Sequence, residues 1–210
     1  MSESCTGVIL AGGAASRYGG RPKGLVRIGG RRVIDRVAEA LSACTDELLV
    51  IANDPAAVDW LPVVRTEADI RPGNGSLGGI HAALWHARTP IVLVAWDMPF
   101  VPAALLAALR ARGTDADVVA PSSESRRGLE PLCAWYHPSC LPAIEARLDA
   151  GDRRVVAFYD AVRVERLAPD EVARFGDPAR LFLNINTPED LERAERDAAA
   201  SAGGRGRPQA

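Results

Sequence analysis

Gly7-Val8-Ile9-Leu10-Ala11-Gly12-Gly13-Ala14-Ala15-Ser16-Arg17-Tyr18-Gly19-Gly20-Arg21-Pro22-Lys23 is the stretch whose reading decides the fold. A short apolar run flows at once into a glycine-rich loop that ends on a basic residue. Such a loop lets backbone N–H groups face an anion, because glycine permits close approach and unusual dihedrals. Two familiar phosphate-binding spellings fail. A dinucleotide-binding fold needs G-x-G-x-x-G at the start of a helix, and that spacing is absent here. A Walker loop needs G-x-x-x-x-G-K-[ST], but Lys23 follows Pro22 and precedes Gly24.

Working outward, short apolar runs alternate with segments of helical period. This pattern predicts α/β, a single Rossmann-like three-layer domain with a mostly parallel (mixed) sheet. Strands are expected at 7–10, 48–51, 61–64, 91–95, 118–120, 132–135 and 181–183. Val33, Ile34, Val37, Ala38 and Leu41 keep one helical face, and helices are also expected over 77–88, from Pro102 onward, and over 138–150. The run 91–95 is continuously apolar, as in a strand covered on both faces. Asn186-Thr187-Pro188-Glu189-Asp190 spells a helix start, with Thr187 as N-cap, Pro188 in the first turn and Asp190 completing a capping box. The domain is read as residues 1–200, with 201–210 as a disordered tail.

Composition narrows the classes further. The 210 residues include 25 Lys plus Arg against 27 Asp plus Glu, too balanced for a nucleic-acid-binding surface. No apolar stretch is long enough to span a bilayer, and no basic segment precedes a leader-like run. Cys5, Cys44, Cys133 and Cys140 lack metal or disulfide-framework spacing and read as reduced core thiols of a cytoplasmic protein. His81 and His86 are five apart and His137 precedes a proline, so no zinc site follows. Within the basic residues the split is extreme: 24 arginines and one lysine, beside 36 alanines. A coding bias that turns surface lysines into arginines leaves untouched a position that needs a compact point charge. Lys23 is therefore a candidate phosphate partner.

What remains of the loop, L-A-G-G-x-x-S-R-x-G-G-x-x-K, resembles the glycine-rich-loop nucleotidyltransferases. Within them it is most similar to the molybdenum cofactor guanylyltransferases, which move GMP from GTP onto molybdopterin. The resemblance covers residues 7–191 and includes Asp69-Ile70-Arg71-Pro72-Gly73-Asn74-Gly75, Asp97-Met98-Pro99 and Asn184-Ile185-Asn186-Thr187-Pro188. It implies Lys23, Arg17 and Asp97 as the catalytic set and Asp97 as the ligand of Mg²⁺, a cation content with one or two carboxylates plus phosphate oxygens and water. It also implies nucleotide contacts from Leu10, Ala11, Gly12, Gly13, Lys23, Asp69 and Asp97, and Asn53, just after the second strand, is read as a base or ribose contact. Acceptor contacts would fall to Arg153, Arg154, Asn184 and Asn186. Of the two asparagines, one would bind ligand and the other support the turn. Glu130 is read as a loop-orienting residue. GTP and molybdopterin are the implied partners, with other cofactor-biosynthesis proteins or client molybdoenzymes as further candidates. Three alternatives stay open: a relative using CTP or a sugar phosphate, a non-catalytic nucleotide-binding partner of molybdoenzymes, and, more remotely, a nicotinamide-dependent oxidoreductase.

Overall fold

Seven strands form one sheet in the computed structural model, which describes residues 3–12, 17, 18, 21–125 and 128–203. They are β1 (Thr6–Leu10), β2 (Glu47–Ile51), β3 (Arg65–Glu67), β4 (Ile91–Ala95), β5 (Val118–Pro121), β6 (Cys133–Tyr136) and β7 (Val164–Leu167). Their spatial order is β7-β5-β6-β4-β1-β2-β3. All pairings are parallel except those of β6, which runs antiparallel between β4 and β5. The mostly parallel, mixed sheet expected from the sequence is thus what forms.

β1 and β4 are buried along their whole length because helices cover both faces of the sheet. Strand alternation divides the core. Ile9, Val50, Val92 and Val94 meet α1 (Val33–Ser42) and α3 (Ala103–Ala111) through Ile34, Val37, Leu105 and Leu109. Val8, Leu10, Leu49 and Leu93 point the other way, into the cluster formed with α2 (Gly75–Ala87) and α4 (Leu141–Asp149). Cys5, Cys133 and Cys140 are buried and Cys44 is half-buried, all four as free thiols.

Two expected strands are corrected. Residues 61–64 form a turn instead, closed by the Val64 amide donating to the Leu61 carbonyl at 2.9 Å, with Val63 fully in solvent. Pro62 has no N–H to give a ladder, and the strand begins only at Arg65. Residues 181–183 do not form the last strand either. Asp177 caps a short helix, α6 (Pro178–Leu181, after the brief helix α5, Pro169–Ala173), by accepting from the Ala179 amide at 3.0 Å. The strand in that region is instead β7, a polar edge strand.

Three helix starts also shift slightly. Pro102 is the N-cap of α3, Gly75 opens α2, and a turn of 3₁₀ helix at Pro138–Cys140 precedes α4. The capping box forms as read: the Asp190 amide donates to Thr187 Oγ1 at 3.2 Å, and Asp190 Oδ2 accepts from the Thr187 amide at 2.8 Å. It opens α7 (Pro188–Gly203), which extends into the expected tail; residues 204–210 lie outside the described residues. Among the described residues, no helix is long and apolar enough to cross a membrane.

Candidate active site

β1 is where the sheet changes direction. The strands that follow it in the chain, β2 and β3, build to one side, whereas β4 lies on the other. Such a switch leaves a crevice beyond the carboxyl ends of the strands, the usual ligand position in open α/β sheets. The glycine-rich loop leaves β1 here, and Asp97 follows β4 two residues past its end. Both exits are tied to the neighbouring backbone. The Ala11 amide donates to the Ile51 carbonyl at 2.8 Å and the Trp96 amide to the Leu10 carbonyl at 3.1 Å.

A cleft of about 350 Å³ opens at this point, lined by Leu10, Ala11, Gly12, Asn53, Asp69, Trp60 and Trp96, with Pro22 and the start of α2. α2 comes this close because Gly79 has no side chain: a Cβ there would stand 2.4 Å from Leu10 Cδ1. Gly73 and Gly75, with φ of 81° and 58°, make the tight turns that bring the chain into the helix. The first amides of α2 thus lie beside the cleft, where a helix N-terminus favours negative charge. On the far wall, Asn53 and Asp69 hold one another. The Asn53 Nδ2 donates to Asp69 Oδ2 at 2.8 Å, and the Asp69 amide donates to Asn53 Oδ1 at 2.9 Å. This fixes one carboxylate oxygen of a residue that lines the cleft.

The charged centre is assembled from three distant parts of the chain. Lys23, only 5% exposed, begins a single 3₁₀ turn, Lys23–Leu25. Its Nζ donates to Asn186 Oδ1 at 2.5 Å and stands 3.8 Å from Asp97 Oδ2. Burial pushes the Asp97 carboxyl above its ordinary range, an effect the Lys23 ammonium opposes only in part. The Asp97 carbonyl accepts from the Ile185 amide at 3.0 Å, so the segment before α7 is bound to the end of β4. Asp190 accepts from the Asn186 amide at 2.9 Å and holds that turn in place.

The remaining expected residues are distributed unevenly. Asn184 Nδ2 donates to the Phe182 carbonyl at 3.0 Å and braces the turn, while Asn186 reaches Lys23. Arg154 folds back on Asp152, with Nη2 to Oδ2 at 2.6 Å, and neither it nor Arg153 lines the cleft. Gly13 lies outside the described residues, and of Arg17 only the backbone is described, in a two-residue strand paired with Arg21–Pro22. Glu130 accepts from Ser123 Oγ at 2.7 Å, across the loop between β5 and β6. Sequence reasoning missed Trp60 and Trp96, whose rings stack with centroids 4.9 Å apart. Position gave the one available signal: Trp96 directly precedes Asp97.

A mostly parallel sheet with a buried lysine, a strand-end aspartate and a nucleotide-sized cleft at its switch point is the architecture of a nucleotidyltransferase. The model of the MobA-like NTP transferase domain matches residues 7–164. The molybdenum cofactor guanylyltransferase of Desulfosudis oleivorans is 37% identical over 204 residues, covering 96% of this chain and 98% of that protein. That of Vibrio cholerae is 34% identical over 188 residues, 88% of each chain. Among solved structures, molybdopterin-guanine dinucleotide biosynthesis protein A from Archaeoglobus fulgidus superposes with a TM-score of 0.78 at 29% identity, covering 93% of this chain and 99% of that one. The chain belongs to the MobA-like NTP transferase family.

Proposed function

We propose that this enzyme transfers GMP from GTP to the terminal phosphate of molybdopterin and releases pyrophosphate. The observation that carries the reading is the Lys23–Asp97 pair, 3.8 Å apart, whose chain neighbours Pro22 and Trp96 line the cleft at the ends of β1 and β4. The names of the relatives support the choice of nucleotide and acceptor.

The acceptor phosphate is already an anion at neutral pH, so the reaction needs no general base. What the chain must supply is alignment and charge stabilisation. Lys23 is suited to offset the negative charge that builds on the departing pyrophosphate. Its burial strengthens that interaction, since little water competes for the ammonium. The Gly12 backbone and the first amides of α2 would receive the phosphates, with Gly13 and Arg17 assigned to the same loop by resemblance. Asp69, held by Asn53, offers a carboxylate oxygen to guanine N–H groups or ribose hydroxyls.

Asp97 fits a divalent cation, with Mg²⁺ the proposed one. It is a single carboxylate and, among the described residues, has no strong side-chain donor nearer than the Lys23 ammonium, the donor set of a hard ion that keeps water and phosphate oxygens. When bound, the cation would screen the phosphate charges. Arg153, Arg154, Asn184 and Asn186 remain proposed acceptor contacts, Asn186 while its side-chain oxygen also accepts from Lys23. The deciding experiment is pyrophosphate release with GTP and with CTP, each with and without molybdopterin. GTP- and molybdopterin-dependent release supports the reading; equal use of CTP, or release without molybdopterin, refutes it.

A further inference from the structure

We infer that Trp96 is a positioning residue for Lys23, acting through Gly24 by direct packing of its indole against the turn that carries the ammonium. The proposal deepens the reading of Lys23 as the charge-stabilising group, and its kinetic arm rests on that reading.

Three observations converge. A Cβ placed at Gly24 would lie 2.4 Å from Cε3 of Trp96 and 2.9 Å from its Cδ2. The peptide after Lys23 therefore rests directly on the benzenoid ring, closer than any residue with a side chain could come. The ring in turn cannot retreat: Trp96 is 2% exposed and Trp60 stacks on it. Finally, the Trp96 backbone is bound to β1 through the Leu10 carbonyl, so the indole has a fixed base.

The turn spans three residues; the Val26 amide donates to the Lys23 carbonyl at 3.1 Å, and Leu25 packs on the core. Beside the anchor of Leu25, the indole under Gly24 and the Asn186 and Asp97 side chains at the ammonium hold the Lys23 end of the turn. The same residue pair, Trp96 and Asp97, supplies both the surface under Lys23 and the carboxylate beside it. Gly24 has no positive φ to explain its lack of a side chain; the close approach to Trp96 does.

The single lysine makes a direct test available, because acetylation by an N-hydroxysuccinimide ester, read by peptide mass spectrometry, reports one buried ammonium against the N-terminal amine of the same chain. Gly24→Ala should lift the turn off the ring and speed Lys23 acetylation about tenfold or more, as overpacking does. Trp96→Leu should also speed it, by removing the supporting surface. The double variant, in which the added methyl occupies space the indole has left, should label more slowly than either single. With GTP and molybdopterin, Gly24→Ala should lower kcat with little change in KM, and the double variant should recover part of the loss. Wild-type rates in Gly24→Ala, or a double variant that labels as fast as the faster single, would overturn the proposal. If Gly24→Ala fails to fold, unchanged labelling in Trp96→Leu overturns it equally. Absence of turnover in the unmutated enzyme would refute the functional reading instead, and the labelling arm would still decide the role of Trp96.

Discussion

Replacing Asn186 by alanine removes the one side-chain acceptor that, among the described residues, is hydrogen-bonded to the Lys23 ammonium, at 2.5 Å. A hydrogen bond to a charged group is worth about 1.5–3 kcal/mol when its partner is deleted. The ammonium would still stand 3.8 Å from Asp97, a gross attraction of about 4 kcal/mol at an effective dielectric near 20. It should therefore stay in the site, but turn freely about its stem. If alignment of Lys23 matters in the transition state, the loss translates into a kcat lowered about tenfold to a hundredfold, since about 1.4 kcal/mol is one decade. If the bond also serves folding, Tm should fall by about 3–12 °C, at about 2–4 °C per kcal/mol for a chain of this size. The assays are pyrophosphate release at saturating GTP and thermal unfolding. Asn186→Ala with kcat within twofold of wild type and an unchanged Tm would refute the idea that this bond sets the ammonium.

Lys23→Ala should lower kcat by about two orders of magnitude or more, as expected for a lost charge-stabilising group; near-normal turnover would remove Lys23 from the mechanism. Asp97→Asn should abolish dependence on added divalent cation along with most activity, measured by titrating Mg²⁺ against rate. Arg154 holds the Asp152 carboxyl down to about 2 by hydrogen bonding. The stability this pair adds is present above the ordinary carboxylate range and lost as pH falls through about 2, and Arg154→Ala should return Asp152 to that range in an NMR titration. Burial pushes the Cys5 and Cys140 thiols up to about 12 and raises Cys133 as well. An aromatic disulfide reagent at pH 8 should therefore find at most Cys44 in the native protein and all four thiols after unfolding.

The central sheet was legible because burial on both faces leaves a plain mark: β1 and β4 are apolar at nearly every position. The edge strands were not. Arg65–Glu67 and Val164–Leu167 carry charges toward solvent, so nothing in their composition separates them from loop. The apolar run at 181–183 misled for the opposite reason. Leu181 and Leu183 are core residues, but Pro178 and the Asp177 cap commit the backbone to a helical turn. In the site, Lys23 stood out against an arginine-rich background and Asp97 by its place after a buried strand. The link from Asn186 to Lys23 spans 163 positions, and the stacked tryptophans meet from different loops. No local pattern encodes either contact, since only the assembled sheet brings those segments together.

The bond from Asn186 to Lys23 also orders events in time. Chains emerge from the ribosome N-terminus first, and domains begin to collapse as they emerge. The glycine-rich loop, β1, β4 and Asp97 are all made before residue 98, and six of the seven strands precede residue 140. The acceptor for Lys23 arrives only with the turn before the last helix, together with the Ile185 amide that grips Asp97. A chain that stopped short of that turn could still build most of the sheet yet would leave its buried ammonium without this partner. The contact from Asn186 to Lys23 therefore waits until all seven strands of the sheet have been made.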